Sequence, residues 1–248
     1  MTEVYNITET FGTTLKILEA YANYEFFSLV VYAPKGWGKS SFAIQLLSEV
    51  YGEQKISPFG PVIIRRNWNA WKDYMIFTPE QYEDKIDYAL RKNMRYKCLV
   101  WDDAGAWASK HRWQEEWAKR FAEEYDTLRT VTSGLVLTTV NPRNLLTTVR
   151  NYDTWTGRIV KITGNPKASH LRRVRVYSGW VSPDLIKQGR RVEYDDFFSV
   201  RLPDRVFREY DPVRRHYVRI LHERLIEARK PAPDIEDIVS YKSNRPKC

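Results

Sequence analysis

Cysteine, histidine and long apolar runs are what this sequence has least of. Its 248 residues include two cysteines and four histidines. Cys98 lies in an apolar run and Cys248 ends the chain, so at most one disulfide is available, and two free thiols in a reducing compartment are the expectation. His111, His170, His216 and His222 form no spaced ligand set with the cysteines, which argues against a metal-stapled fold. No apolar run approaches the roughly 18 residues that a membrane span requires, so no membrane insertion is expected. The opening MTEVYNITET lacks a basic segment followed by an apolar one. That start predicts no secretory leader and a cytoplasmic location.

Hydrophobic residues make up 43% of the chain and charged residues 29%, a globular composition rather than a disordered one. The length suits one main core with an appendage. The net charge of +9 favours a polyanionic partner. Its placement is more telling than its size. Residues 165–230 hold 16 Lys or Arg against nine Asp or Glu, so seven of the nine net positive charges fall there.

Along the chain, apolar strand-length runs alternate with helical patterns. FFSLVVY (26–32), DYMIF (73–77), KCLVWDDAG (97–105), GLVLTTV (134–140) and GRIVKIT (157–163) read as five strands. Helices are expected over 9–24, after the glycine turn at 36–38, from 79 after a Thr78-Pro79-Gln81 cap, over 111–130 and over 144–151. Such alternation predicts a three-layer α/β/α domain with a mainly parallel five-stranded sheet over residues 1–164. Residues 165–230 then read as a basic β-hairpin (170–180 with 190–200) and a helix starting at Asp211-Pro212, and 231–248 as a tail without periodicity.

One stretch carries chemistry on its own. A phosphate loop needs glycines so that backbone N–H groups point at phosphate oxygens, a lysine for the same oxygens, and a hydroxyl for Mg²⁺ at the start of a helix. Ala33, Pro34, Lys35, Gly36, Trp37, Gly38, Lys39 and Ser40 supply A-x-x-x-x-G-K-S between a strand and an amphipathic helix. Lys39 is assigned to the β- and γ-phosphates, Ser40 to Mg²⁺, and Ser41 with the N–H groups of residues 36–40 to the phosphate chain. Asp102-Asp103, ending the third strand, supply the other half: Asp102 to hold Mg²⁺ through water and Asp103 to orient or deprotonate the attacking water. Should GLVLTTV lie between these two strands, Thr139 or Asn141 would face the γ-phosphate, although Asn141-Pro142 also reads simply as a turn. Arg150 and Arg158 are the candidates for an arginine that completes transition-state charge neutralisation.

GWGKSS, then LVWDDAG, then LVLTTVNPRNLL and a downstream arginine together resemble AAA+ ATPases of the DnaA initiator and helicase-loader branch, and more closely the small DnaA-like P-loop ATPases encoded by archaeal viruses and plasmids. The resemblance covers about residues 25–164, and less specifically VRLPDRVFREYDPVRRHY. It implies an α/β/α nucleotide domain, ATP and Mg²⁺, ring or filament assembly of identical subunits, and work on DNA in a host cytoplasm. Ala33 in place of glycine, and the want of a helical lid or helix-turn-helix after residue 164, depart from the pattern and leave initiator, loader, and DNA translocation or packaging roles open.

Three function classes follow. In the first, ATP hydrolysis is coupled to DNA binding or remodelling, with Arg172, Arg173, Arg175, Arg190, Arg191, Arg214, Arg215 and Arg219 contacting backbone phosphates and Tyr177 and Trp180 stacking on bases. The bland counterpart is that these arginines pair with Asp195, Asp196 and Glu209. In the second class, an assembly ATPase acts on a protein partner. In the third, a kinase transfers phosphate to a metabolite, which the adjacent acid pair disfavours because it suits water as acceptor.

Overall fold

A computed structural model describes residues 10–57, 60–150, 154–162, 169–181 and 188–227. The chain divides into a first unit, Met1–Val206, and a second, Phe207–Cys248. In chain order the elements are α1 (Gly12–Ala22), β1 (Phe27–Tyr32), α2 (Lys39–Val50), β2 (Glu53–Ser57), β3 (Gly60–Arg65), α3 (Ala70–Tyr74), β4 (Met75–Ile76), α4 (Pro79–Lys92), β5 (Leu99–Trp101), α5 (Glu116–Tyr125), β6 (Gly134–Thr139), β7 (Trp155–Lys161), β8 (Leu171–Val181), β9 (Gln188–Ser199) and α6 (Asp204–Glu227). Short 3₁₀ turns link several of them. No helix among the described residues is long and apolar enough to cross a membrane.

The main sheet runs β4-β5-β6-β1-β7-β8-β9. Its first five strands are the five expected from sequence, and every pairing among them is parallel. Burial on both faces explains the near-continuous apolar runs of β1, β4, β5 and β6, whereas β7 leaves Arg158 exposed. The expected count of five becomes seven because the hairpin β8–β9 is no separate appendage to that sheet: it pairs antiparallel with β7 and continues it. A lone hairpin with one apolar face is marginal in water. Here Val174, Val176 and Phe198 bury that face by extending the sheet. A register shift between Val176 and Tyr177 accounts for the imperfect alternation in the sequence.

Helices cover the sheet unevenly. On one face, α1 and α2 lie over it: Phe42 of α2 meets Phe198 edge-on at 5.4 Å, and Asp196 of β9 accepts from Gly12 N (2.6 Å), Thr13 N (3.3 Å) and Thr13 Oγ1 (2.6 Å), capping α1. Glu49 of α2 serves the same end of that helix through Phe11 N and Thr14 Oγ1, and also pairs with Arg66. On the other face an aromatic layer from α4 and α5 closes over β5, where Tyr82, Trp101 and Phe121 pack with centroids 5.0–5.7 Å apart. Tyr125 then reaches Ser28 of β1 (2.5 Å) and Thr154 (3.2 Å).

Several local expectations change. The helix over 111–130 is a ten-residue α5 flanked by 3₁₀ turns, and the one over 144–151 is replaced by 3₁₀ turns at Pro142–Asn144 and Thr148–Arg150. Asn141 caps the first of these two turns with its side-chain oxygen, which accepts from Arg143 N at 3.0 Å. The antiparallel pair β2–β3 has no counterpart in the sequence reading. The Thr78 cap is as expected, accepting from Gln81 N at 3.3 Å, but Gln81 returns to Phe77 N (2.8 Å) rather than to Thr78. In α6 the helix starts seven residues before Asp211, at Asp204, with Pro212 inside it. Proline removes one main-chain hydrogen bond, a loss that a 24-residue helix absorbs. The boundary expected at residue 164 and the tail 231–248 lie outside the described residues.

Candidate active site

The C-terminal ends of β1, β5 and β6 form the site. β6 lies between the other two strands, so residues from all three ends meet. After β1 the backbone turns through Gly36 (φ 76°) and Gly38 (φ 92°), left-handed conformations that glycine adopts without strain. Gly36 is exposed, and a Cβ there would meet nothing within 4 Å, so its conformation alone calls for glycine. A Cβ on Gly38 would stand 2.5 Å from Val200 Cγ1. Gly38 is thus required by both its conformation and its neighbour.

Helix α2 begins at Lys39, directing its first N–H groups toward the loop, where an anion is favoured. Lys39 is buried, and its ammonium donates to Ala33 O (3.1 Å) and Pro34 O (3.4 Å). Ser40 Oγ donates to Asp102 Oδ2 at 2.7 Å. Thr138 Oγ1 donates to Asp102 Oδ1 at 2.6 Å and accepts from Asp103 N at 2.8 Å. Each oxygen of Asp102, a residue only 2% exposed, therefore receives one hydroxyl proton. Asp103, in a left-handed conformation (φ 50°), leaves the strand direction and begins a 3₁₀ turn.

The donor set fits a hard divalent cation. No group of three His, Cys, Asp or Glu able to hold a metal occurs among the described residues, which does not suit a metal held by protein alone. A Mg²⁺ that keeps its waters and shares phosphate oxygens needs only one or two protein ligands. Ser40 Oγ, with a lone pair free while its proton rests on Asp102, and Asp102 itself are oxygen donors of that kind.

Thr139 is buried. Its carbonyl accepts from Ala33 N (3.3 Å) and its hydroxyl donates weakly to Asn141 O (3.4 Å). A Cβ on Gly105 would overlap that hydroxyl, which explains the glycine after Asp103-Ala104. Asn141 is exposed. Arg150 and Arg158 are exposed as well, Arg150 donating to Thr147 Oγ1 at 3.3 Å. Trp37, at the loop tip, has the Lys161 ammonium 5.1 Å from its ring centroid. Lys35 and Pro34 are exposed on the same loop.

The arginines of the hairpin fall into separate environments. Arg172 is 7% exposed and donates to Ser169 O (2.6 Å) and Leu171 O (2.7 Å). Arg173 and Arg175 share Asp195 (3.5 and 3.0 Å), Arg191 pairs with Glu193 (2.7 Å), and Arg190 is exposed. Asp196, expected as an arginine partner, caps α1 instead. Register places Arg158, Arg175 and Asp195 in one row across β7, β8 and β9, on the face away from α1 and α2. In the second unit Arg214, Arg215 and Arg219 are exposed along α6, Arg215 pairing with Asp211 (2.7 Å). The Trp180 side chain lies outside the described set.

Sequence reasoning misses Thr138, Gln45 and Val200. Thr138 is one of two adjacent threonines in an apolar strand, and only the strand order marks it out. Gln45 Nε2 donates to Ser199 O at 2.6 Å and to Ser41 O at 3.1 Å, and Ser41 Oγ donates to Val200 O at 3.0 Å. No local pattern signals contacts across more than 150 residues.

No family model matches the chain. It is 28% identical over 222 residues to Uncharacterized protein B-251 of Sulfolobus spindle-shape virus 1, spanning 86% of this chain and 83% of that protein. To Uncharacterized protein ORF286 of Acidianus two-tailed virus it is 27% identical over 132 residues, 52% of this chain and 41% of that protein. Both of these relatives are viral. Among solved structures, the N-terminal domain of zonular occludens toxin from Neisseria meningitidis is similar with a TM-score of 0.39 and 12% identity, over 73% of this chain and 97% of that one. The genome packaging NTPase B204 from Sulfolobus turreted icosahedral virus 2, in complex with ATP-gammaS, is similar with a TM-score of 0.36 and 11% identity, over 68% of this chain and 97% of that one.

Proposed function

We propose that the chain is a Mg²⁺-dependent ATPase whose hydrolysis is coupled to binding or remodelling DNA, in replication initiation or loading or in DNA translocation or packaging. The observation that carries the first half is the continuous set of contacts Ser40–Asp102–Thr138–Asp103 across three adjacent strand ends, beside a glycine turn and a buried lysine. Lys39 and the N–H groups of the loop bind the phosphates, while Asp103 orients the attacking water. Bound Mg²⁺ would neutralise phosphate charge, with Ser40 and Asp102 as its protein ligands. The DnaA-like AAA+ assignment rests on the sequence resemblance, as does assembly of identical subunits, in which exposed Arg150 or Arg158 would reach a neighbour's nucleotide.

For DNA, the support is the row of arginines on the partly exposed face of β7–β8 and the exposed arginines of α6. One specific observation favours the second reading, an ATPase acting on a protein partner: Arg173, Arg175 and Arg191 already have carboxylate partners, and Arg172 is buried. ATP turnover measured with and without DNA separates the two. Stimulation by DNA, with affinity that falls steeply with salt, supports the first. Turnover indifferent to DNA supports the second.

A further inference from the structure

The segment that ends β9 sits on the phosphate loop. Val200 Cγ1 occupies the space a side chain on Gly38 would need. Val200 O accepts from Ser41 Oγ at 3.0 Å, and Ser199 O accepts from Gln45 Nε2 at 2.6 Å. The same Gln45 nitrogen donates to Ser41 O, so both of its protons are committed to this junction. One residue earlier, Phe198 packs on Phe42 of α2. On its other side, Val200 N donates to His170 O at 2.8 Å, at the base of the hairpin. The base of the hairpin and the start of α2 therefore share one residue, Val200.

Ser41 cannot serve both neighbours at once. A serine hydroxyl carries a single proton, and an ionised phosphate oxygen only accepts. With that proton on Val200 O, Ser41 cannot donate to a nucleotide phosphate. To do so it must turn and leave the Val200 carbonyl.

We propose that Ser199-Val200 is a latch on the phosphate loop, held closed by Gln45 as a positioning residue and opened when Ser41 turns to a nucleotide phosphate. This rests on the reading of the loop as a nucleotide site and deepens it: occupancy of the loop is passed to His170 and the hairpin base, and by linkage anything that strains the hairpin base alters nucleotide affinity.

The test uses the full chain and ATP-gammaS with Mg²⁺. Hydrogen exchange across residues 198–202 is measured with and without nucleotide, and the dissociation constant is measured for the wild type and for Gln45→Met, which keeps the side-chain length and removes both donors. The latch predicts faster exchange across 198–202 on nucleotide binding. It also predicts that Gln45→Met binds ATP-gammaS roughly 2- to 10-fold more tightly, the span of one net hydrogen bond no longer opposing binding. A wild type that binds nucleotide with unchanged or slowed exchange there overturns the latch and leaves the nucleotide site standing, as does equal or weaker binding by a folded Gln45→Met. If that variant does not fold, the wild-type exchange decides alone. A wild type that binds no ATP-gammaS removes both the site and the latch.

Discussion

Three aspartates separate two regions of the first unit. Asp102, in the parallel part of the sheet, is covered on all sides and receives a hydroxyl on each oxygen. Asp196, on the helix-covered face of the antiparallel end, is also buried and holds the N-terminus of α1. Asp195, one residue away on the opposite face, is partly exposed and sits between Arg173 and Arg175. The same side chain is thus structural where the sheet is covered and a solvent-screened ion-pair partner where it is open. Groups whose partners are buried are costly to disturb, whereas exposed ion pairs contribute little. The candidate phosphate loop follows β1, which has parallel neighbours on both sides, and meets the end of the antiparallel hairpin through Val200.

The largest effects belong to the covered side. Lys39→Ala removes the one buried ammonium of the loop and is expected to abolish ATP-gammaS binding, with turnover falling by about 10²–10³-fold or more. Asp103→Asn makes a sharper comparison. Asparagine tolerates the left-handed backbone at that position, so the 3₁₀ turn and the N–H bond to Thr138 persist. ATP-gammaS affinity should stay within a few-fold while turnover drops by roughly 10²–10⁴-fold, the usual loss for a general base. Binding titrations beside steady-state turnover check both variants. Normal turnover in Asp103→Asn removes that residue from its role.

Asp196 sets up the next effect, on stability. Burial pushes its carboxyl up to about 6, against the pull of three hydrogen bonds from Gly12 and Thr13, with the Glu49 carboxylate adding to the rise. Burial raises Glu49 as well. A carboxyl raised on folding binds its proton more tightly in the native state. Its contribution is full below the unfolded value near 4 and is lost as pH rises through about 6. Stability should therefore fall by about 3 kcal/mol across that window from this group alone. Asp196→Asn, which cannot ionise, should flatten the fall. Denaturant midpoints from pH 4 to 7 measure it, and an equal slope in the variant would refute the assignment.

How much of this is legible in the sequence follows the same division. The candidate phosphate loop and Asp102-Asp103 stand out in the sequence because the chemistry proposed for them depends on local order: glycines before a lysine, acids at the end of an apolar run. The parallel strands are legible because burial on both faces of β1, β4, β5 and β6 makes them mostly apolar, and β7, open on one face, keeps an apolar set at Ile159 and Val160. The hairpin's membership of the sheet is not, since one residue of register shift scrambles its alternation, and Asp195 and Asp196 cannot be told apart until it is known which face α1 covers. The stretch 144–151 reads as a helix because Leu145, Leu146 and Val149, all buried, imitate a helical stripe, although Leu145 and Leu146 lie between two tight turns and only Val149 lies within one. Thr138 escapes notice for the opposite reason. Threonine is an ordinary strand residue, and its role appears only when β6 is placed against β5.

Thr138→Val tests that overlooked residue with a moderate effect. Valine keeps the shape and removes the hydroxyl, leaving Asp102 Oδ1 without its proton donor and Asp103 N without its acceptor. The expected loss is about 1–3 kcal/mol, seen as a melting temperature lower by several degrees. Turnover should fall too, since Asp103 loses the bond that fixes its backbone. A variant as stable as the wild type would show that the buried network is less demanding than its geometry implies.

Asp195→Ala gives the smallest change in stability and the clearest view of the open face. Asp195 is partly exposed and its pairs with Arg173 and Arg175 are screened by solvent, so folding stability should change by no more than about 1 kcal/mol. If that face is where DNA binds, Asp195 competes with backbone phosphates for the two guanidinium groups. Removing it should then tighten DNA binding at low salt and steepen the dependence of log affinity on log salt by roughly 0.9 for each additional phosphate neutralised. If the face meets an acidic protein, DNA affinity and its salt slope should not move. Titrations of a duplex at several salt concentrations, wild type against Asp195→Ala, decide between these outcomes. The answer comes from the weakest interaction in the comparison because, of the three aspartates, Asp195 is the one whose charge a partner can reach.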